Sequence, residues 1–235
     1  MKRIAACAFL ALSWSLSSAT VVQTTNGADV AAFQAGLTVN NFESVPTRTP
    51  QAITSYTTGD PVDANAFVFD QIAGAQFSVG GAVGTNEPAL FKLGGGIAGD
   101  AASASTVLGP VDFDFTTKFG PGAQIEIFFP VKVASVGFWL NPSLGNVLLI
   151  AADTNFAFSG LTETMLESGN VAAGNFVGIS RATADIGGFK IIALSDKAFT
   201  VDDFSFGSPT AVPEPATVAL LAAGLMMLGW ASRRR

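Results

Sequence analysis

From Gln124 to Phe206 the chain is a series of short apolar runs with a period of two, cut apart by glycine, proline and asparagine. Gln124–Phe129 alternates through Ile125 and Ile127. Val131–Leu140 follows after Pro130, and residues 141–146 (Asn-Pro-Ser-Leu-Gly-Asn) form a turn. Val147–Ala151, Phe156–Phe158, Asn175–Ser180, Phe189–Leu194 and Phe199–Phe206 read the same way. A strand sends successive side chains to opposite faces, so this period excludes a helical body. The first half adds Leu37–Glu43, Gly74–Val79 and Ala89–Leu93, and Val111, Phe113 and Phe115 alternate with Asp112 and Asp114. About ten short strands with close turns predict a mainly β chain, a single antiparallel β-sandwich of jelly-roll-like form. One short helix is expected over Ala28–Ala35, with Asn26 as its cap and Gly36 as its stop. Val30, Phe33 and Leu37 have the spacing of one apolar face. Ser44–Pro61, Gly80–Pro88 and Gly94–Ser105 read as loops, and no repeat of solenoid or propeller length is visible.

Composition narrows the chemistry. The 235 residues include no histidine and one cysteine, Cys7, so the body has no disulfide, no thiolate, no Cys/His zinc site and no histidine-based triad. Between Thr20 and Val212 seven basic residues face 17 acidic ones, a net charge of −10. Such a surface repels nucleic acid, whose binding depends on neutralising phosphates, and it suits divalent cations. The 20 phenylalanines are core material. Gly94-Gly95-Gly96 lacks the spacing and lysine of a phosphate loop.

The two ends read as addresses. Lys2 and Arg3 precede an apolar run, Ile4–Leu16, and Ser17-Ser18-Ala19 ends in small residues. Residues 1–19 are therefore expected to be a signal peptide cleaved after Ala19. Cys7 has too little apolar chain before it for a lipoprotein signal. At the other end Pro213-Glu214-Pro215 is followed by 16 residues, Ala216–Ala231, with no charge, and then by Arg233-Arg234-Arg235. A helix of that length spans roughly 24 Å, short of the ~30 Å bilayer core. The prolines stop it from extending backwards. Trp230 suits the interface, and the arginines stay cytoplasmic, which places the body across the membrane. The organisation is thus residues 1–19, a sandwich body over 20–208, and a C-terminal segment over 209–235 containing a hydrophobic helix.

This tail resembles the PEP-CTERM sorting signal. The residues that carry the likeness are Pro213, Glu214 and Pro215, the apolar span, and Arg233, Arg234 and Arg235. The resemblance implies an exosortase-type membrane protease as partner, cutting near Pro-Glu-Pro. It also implies export across the inner membrane, transient residence of the tail in that membrane, and delivery to the cell surface or outside. Asn41-Phe42-Glu43-Ser44, Val136–Leu140, Phe176–Ile179 and Val201–Phe204 look like the body common in PEP-CTERM proteins. That body is similar in outline to galactose-binding-like jelly rolls, including carbohydrate-binding modules, some of which hold a structural calcium with an early Glu and a late Asp.

Within the body, Phe199-Thr200-Val201-Asp202-Asp203-Phe204-Ser205-Phe206 is the most informative stretch. Phe199 and Val201 share one parity and Phe204 and Phe206 the other, so a bulge is expected at the acidic pair. Two adjacent carboxylates there repel each other. A calcium ion held by Glu43, Asp202 and Asp203 would relieve this, and no other cofactor is expected. Trp139 is a candidate stacking platform for a sugar ring, with a place in the core as the alternative. Asp112 and Asp114 are expected on one face of one strand, an ordinary surface arrangement and no persuasive glycosidase pair. The expectation is a non-enzymatic, exported surface or extracellular-matrix protein associated with polysaccharide. The alternatives are a permanently membrane-anchored carbohydrate-binding module and a carbohydrate-active hydrolase.

Overall fold

The computed structural model describes residues 20–77, 88–103, 105–112, 114–153, 164–194 and 196–208. The signal peptide, the sorting tail with its hydrophobic helix, and the expected strand Phe156–Phe158 lie outside the described residues. Thirteen strands are seen among those described: β1 (Thr20–Thr24), β2 (Thr38–Asn40), β3 (Gln51–Ile53), β4 (Gln76–Phe77), β5 (Ala89–Leu93), β6 (Thr106–Gly109), β7 (Gln124–Val133), β8 (Ser135–Leu140), β9 (Val147–Ala152), β10 (Met165–Val171), β11 (Phe176–Ser180), β12 (Ile186–Ala193) and β13 (Val201–Gly207).

They form two sheets. The larger runs β1-β11-β8-β13-β6-β5-β3, with β2 also paired to β13, and the smaller runs β10-β9-β12-β7-β4. The core lies between them. Phe138 of β8 meets Phe189 of β12 edge-on at 6.1 Å, and Phe77 and Phe129 of the smaller sheet meet Phe204 and Phe206 of β13 at 5.5 and 5.6 Å. Each fully buried phenylalanine contributes about 1.5–3 kcal/mol by leaving water. The β-sandwich read from the alternation is the observed fold, with one parallel pair, β3 on β5, inside it.

Several expected elements differ in extent. Leu37–Glu43 alternates, but β2 ends at Asn40 because Phe42 takes a left-handed φ of 62° and buries its ring against Phe204. Val111–Phe115 is not a strand. Asp112 N–H donates to the Thr116 carbonyl, Phe115 N–H donates to the Asp112 carbonyl, and Phe115 has φ 62°, so the segment turns back on itself. Asp112 and Asp114 therefore do not share a strand face: Asp112 pairs with Lys118 at 2.7 Å, and Asp114 accepts from Thr116. Pro130 does not end β7. It sits in a wide bulge, where β7 advances from Phe128 to Val133 while β12 advances only from Gly188 to Ile186, so its missing N–H interrupts no ladder bond. The loop Ser44–Pro61 contains β3, and β1, β6 and β10 form without a clear alternation.

The helix is as expected. We call Gly27–Gln34 α1; the Asn26 side chain accepts from Ala28 N–H, and Gly36 has φ 77°. It lies across the outer face of the larger sheet. Gly137 and Gly178, partners across β8 and β11, make room for Phe33, whose ring atoms would stand 2.7 and 2.8 Å from any Cβ at those positions. Gln34 donates to Ser205 Oγ at 2.8 Å and fixes the helix to β13.

Candidate functional site

The expected bulge in β13 is present. Asp202 pairs with Trp139 and Ser205 with Gly137, so three steps on β13 match two on β8. Asp203 absorbs the extra residue with φ 49°, and Ser205 Oγ donates to its carbonyl. Because the bulge shifts the phase, Val201 before it and Phe204 and Phe206 after it all enter the core. At the same place β13 changes neighbour, from β6 at Val201 to β2 at Phe204.

Asp202 and Trp139 are cross-strand partners and share the outer face. Beside them is a cleft of about 300 Å³, lined by Asp100, Ala101, Trp139, Asn141, Thr200 and Asp202 among others. Residues 99–102 form one wall, and the turn after β8 forms the other. Trp139 is half-buried, its ring edge-on to Phe176 at 5.9 Å. Tyr56 donates to Asp100 at 3.1 Å, Ser143 donates to the same carboxylate at 2.7 Å, and Asn141 donates to both Tyr56 and Thr200. Burial, then the neighbouring Asp100 charge, pushes the Tyr56 phenol well up. This network holds the cleft's polar groups in fixed positions.

Asp202 is 2% exposed. Its carboxylate accepts from Ser103 N–H at 2.6 Å, Ser103 Oγ at 3.1 Å and Asp203 N–H at 2.7 Å. Burial pushes its pKa up to about 6, with the charge of Asp203 adding to the effect and the hydrogen bonds opposing it. Glu43 does not line the cleft. Its Oε1 accepts from Ser105 N–H at 2.8 Å and Thr106 N–H at 2.6 Å. Burial raises the Glu43 pKa, but the Ser105 and Thr106 amides, the Thr106 hydroxyl and the Lys92 charge together outweigh it and the net shift is downward. Glu43 and Asp202 therefore converge on one segment, 103–106, and hold its two ends. Both carboxylates face hydrogen-bond donors, mainly backbone N–H groups, whereas calcium takes oxygens. Among the described residues no three Asp, Glu, His or Cys side chains gather.

The sequence reading separates Trp139 from Asp202, and the register brings them together. It misses Tyr56, Asp100, Asn141 and Thr200. The signal available was Asn141-Pro142, where the Asn141 side chain accepts from Ser143 N–H and shapes the turn. Asp100 sits in the glycine-rich loop and has no local pattern to mark it. Pro213, Glu214, Pro215, Arg233, Arg234 and Arg235 lie outside the described residues.

Residues 211–235 match the model of the PEP-CTERM protein-sorting motif. The chain thus carries the signal that marks proteins for export, holds their C-terminal segment in the membrane for exosortase processing, and delivers them to the cell surface. No curated protein matches the chain. Among solved structures, it is similar to TmCBM61 in complex with β-1,4-galactotriose, at 15% identity and TM-score 0.32 over 57% of this chain and 88% of that one. It is also similar to the family 11 carbohydrate-binding module of Clostridium thermocellum in complex with a β-1,3-1,4-mixed-linked tetrasaccharide, at 11% identity and TM-score 0.28 over 74% and 96%. A third likeness is to the enzymatically active domain of bacteriophage CBA120 tailspike protein 4, at 14% identity and TM-score 0.31 over 63% of this chain and 21% of that one.

Proposed function

We propose that the exported body is a non-catalytic binding protein of the cell surface or matrix, and that its cleft takes a unit of an extracellular polysaccharide. The observation that carries this reading is the pairing of Trp139 with Asp202 across β8 and β13, beside Asp100 and Asn141, in a cleft of about 300 Å³. A pyranose has an apolar C–H face and a rim of hydroxyls. An indole supports the first, and carboxylates and amides fixed by neighbours accept from or donate to the second. Asp202 is 2% exposed and accepts from Ser103 and Asp203, so its raised pKa belongs to a carboxyl held inside the cleft wall and not to an acid presented to a leaving group.

The test is a glycan array probed with the purified protein, followed by titration of the best binder with the wild type and Trp139→Ala. Binding to a polysaccharide class that is lost in the variant, with melting temperature little changed, is the expected result. No binding to any glycan, or equal binding by the variant, refutes the cleft as the site. Hydrolysis of a bound glycan would overturn the non-catalytic assignment.

A further inference from the structure

The two routes by which the body joins the rest of the chain leave from one end of the larger sheet. Thr20 of β1 pairs with Ser180, Ser180 with Ser135, and Ser135 with Gly207 of β13. These four residues form one row, so the first and last strands meet residues 1–19 and 209–235 about 15 Å apart, three strand spacings. From Ser208 to the apolar run at Ala216 only residues 209–215 intervene. The eight steps from Ser208 to Ala216 reach at most about 29 Å, even fully extended. While the C-terminal segment occupies the membrane, this end of the sandwich is held beside the bilayer by chain length alone.

The same end carries three of the five exposed large apolar side chains among the described residues. Val131 is 79% exposed in the β7 bulge, Val39 is 47% exposed on β2, and Met165 is 62% exposed at the start of β10. The pairings Ser205↔Val39, Ile186↔Val133 and Met165↔Ala152 place all three toward the row of Gly207. Among the described residues the charged groups there are the exposed Lys132, the Arg181–Asp185 ion pair, and Asp153 and Glu167 near Met165. Their signs are mixed, so the contact rests on apolar side chains and tethering rather than on attraction to anionic lipid.

We infer that the unprocessed protein docks this end, with Val39, Val131 and Met165, on the outer surface of the inner membrane. The Trp139 cleft then points away from the bilayer. It lies at the opposite end of β8, where Leu140 pairs with Val201, about 17 Å farther out over five residue steps. The partner is the lipid surface itself. The inference does not depend on what the cleft binds.

The experiment uses the full chain with Cys7→Ser, reconstituted into phosphatidylethanolamine–phosphatidylglycerol vesicles. A fluorophore is attached at Val131→Cys, Val39→Cys or Pro142→Cys, the last beside the cleft, and nitroxide-labelled lipids act as the quencher. All three positions are on the surface or partly exposed, so labelling leaves the core intact. Quenching at 131 and 39 with little at 142 is expected. Equal quenching at all three, stronger quenching at 142, or no quenching anywhere overturns the docking face. Glycan binding by the same vesicles is a separate readout: its failure would remove the cleft's proposed ligand and leave the quenching pattern unchanged.

Discussion

Replacing Asp202 with asparagine should reverse its effect on stability between neutral and mildly acidic pH. The Asp202 pKa rises from an ordinary 3.8 to about 6, chiefly through burial. The folded state therefore holds the proton more tightly than the unfolded chain. This group's contribution is fully present below the unfolded value and is lost as pH rises through about 6. The difference is equivalent to about 3 kcal/mol, at about 1.4 kcal/mol per pH unit. Asparagine removes that cost at neutral pH. It also replaces one acceptor oxygen by an NH₂ group, leaving Ser103 N–H or Asp203 N–H without a partner, at about 1–3 kcal/mol. Near pH 8 the two effects nearly cancel, or the variant is slightly more stable. Near pH 5, still above the unfolded value, about half of that cost remains, so relative to the wild type the variant loses about 1.5 kcal/mol between pH 8 and pH 5. The other carboxylates with shifted pKa values do not interfere. Glu43 and Asp185 are both lowered, Asp185 chiefly by Arg181, so their contributions are present above their unfolded values and fade only as pH falls lower. The assay is thermal melting of wild type and Asp202→Asn from about pH 8 to about pH 5, in low salt. Wild-type melting should rise on acidification through about 6, and the two curves should converge or cross. Parallel curves with no rise in the wild type would refute the claim that an ionised carboxylate is costly in this bulge.

Glu43→Ala should lower stability by about 1 kcal/mol, because Ser105 and Thr106 lose their acceptor at a site open enough for water to replace part of it. Denaturant melts measure the loss, and an unchanged midpoint would mean water substitutes fully. Gly178→Ala should cost more, about 1–3 kcal/mol. Its Cβ would fall 2.6 Å from the Val136 carbonyl, which cannot swing away as Phe33 could, and a stable, unshifted variant would contradict the close fit of β11 on β8. Millimolar calcium should leave melting unchanged, since amides already face the carboxylates; a clear rise would mean the ion displaces them and restore the Glu43–Asp202–Asp203 site. Intact mass of protein from the cell surface should lack residues 216–235, whereas their retention would support the permanent anchor.

The strands legible in the sequence were those with one wet face or a fully apolar run, such as Ala89–Leu93 and Val147–Ala152. β10, with Glu167, Ser168, Gly169 and Asn170, has no period to read because it lies at a sheet edge and is mostly half-buried. Its Gly169 is needed where Val21 would stand 2.9 Å from a Cβ, a contact set by a distant strand. The bulge was readable because a phase change is local: Val201 and Phe204 cannot share a face without an added residue. The cleft was not, because Asp100, Trp139 and Asp202 come from three separate stretches: register pairs Trp139 with Asp202, and a loop brings Asp100 beside them. Phe42 and Phe115 misled for a different reason. An alternating pattern says nothing about a residue that adopts positive φ, and both do.

β13 lies in the interior of the larger sheet, between β8 on one side and β6 and β2 on the other. It is also the last strand of the body along the chain. A chain that crosses a membrane amino end first delivers β1 to β12 before their central partner arrives. Until Val201–Gly207 emerges, β8 has an open edge and β2 has no partner in the sheet. In such a chain the larger sheet cannot be completed until Val201–Gly207 has crossed, with only residues 208–235 still to follow.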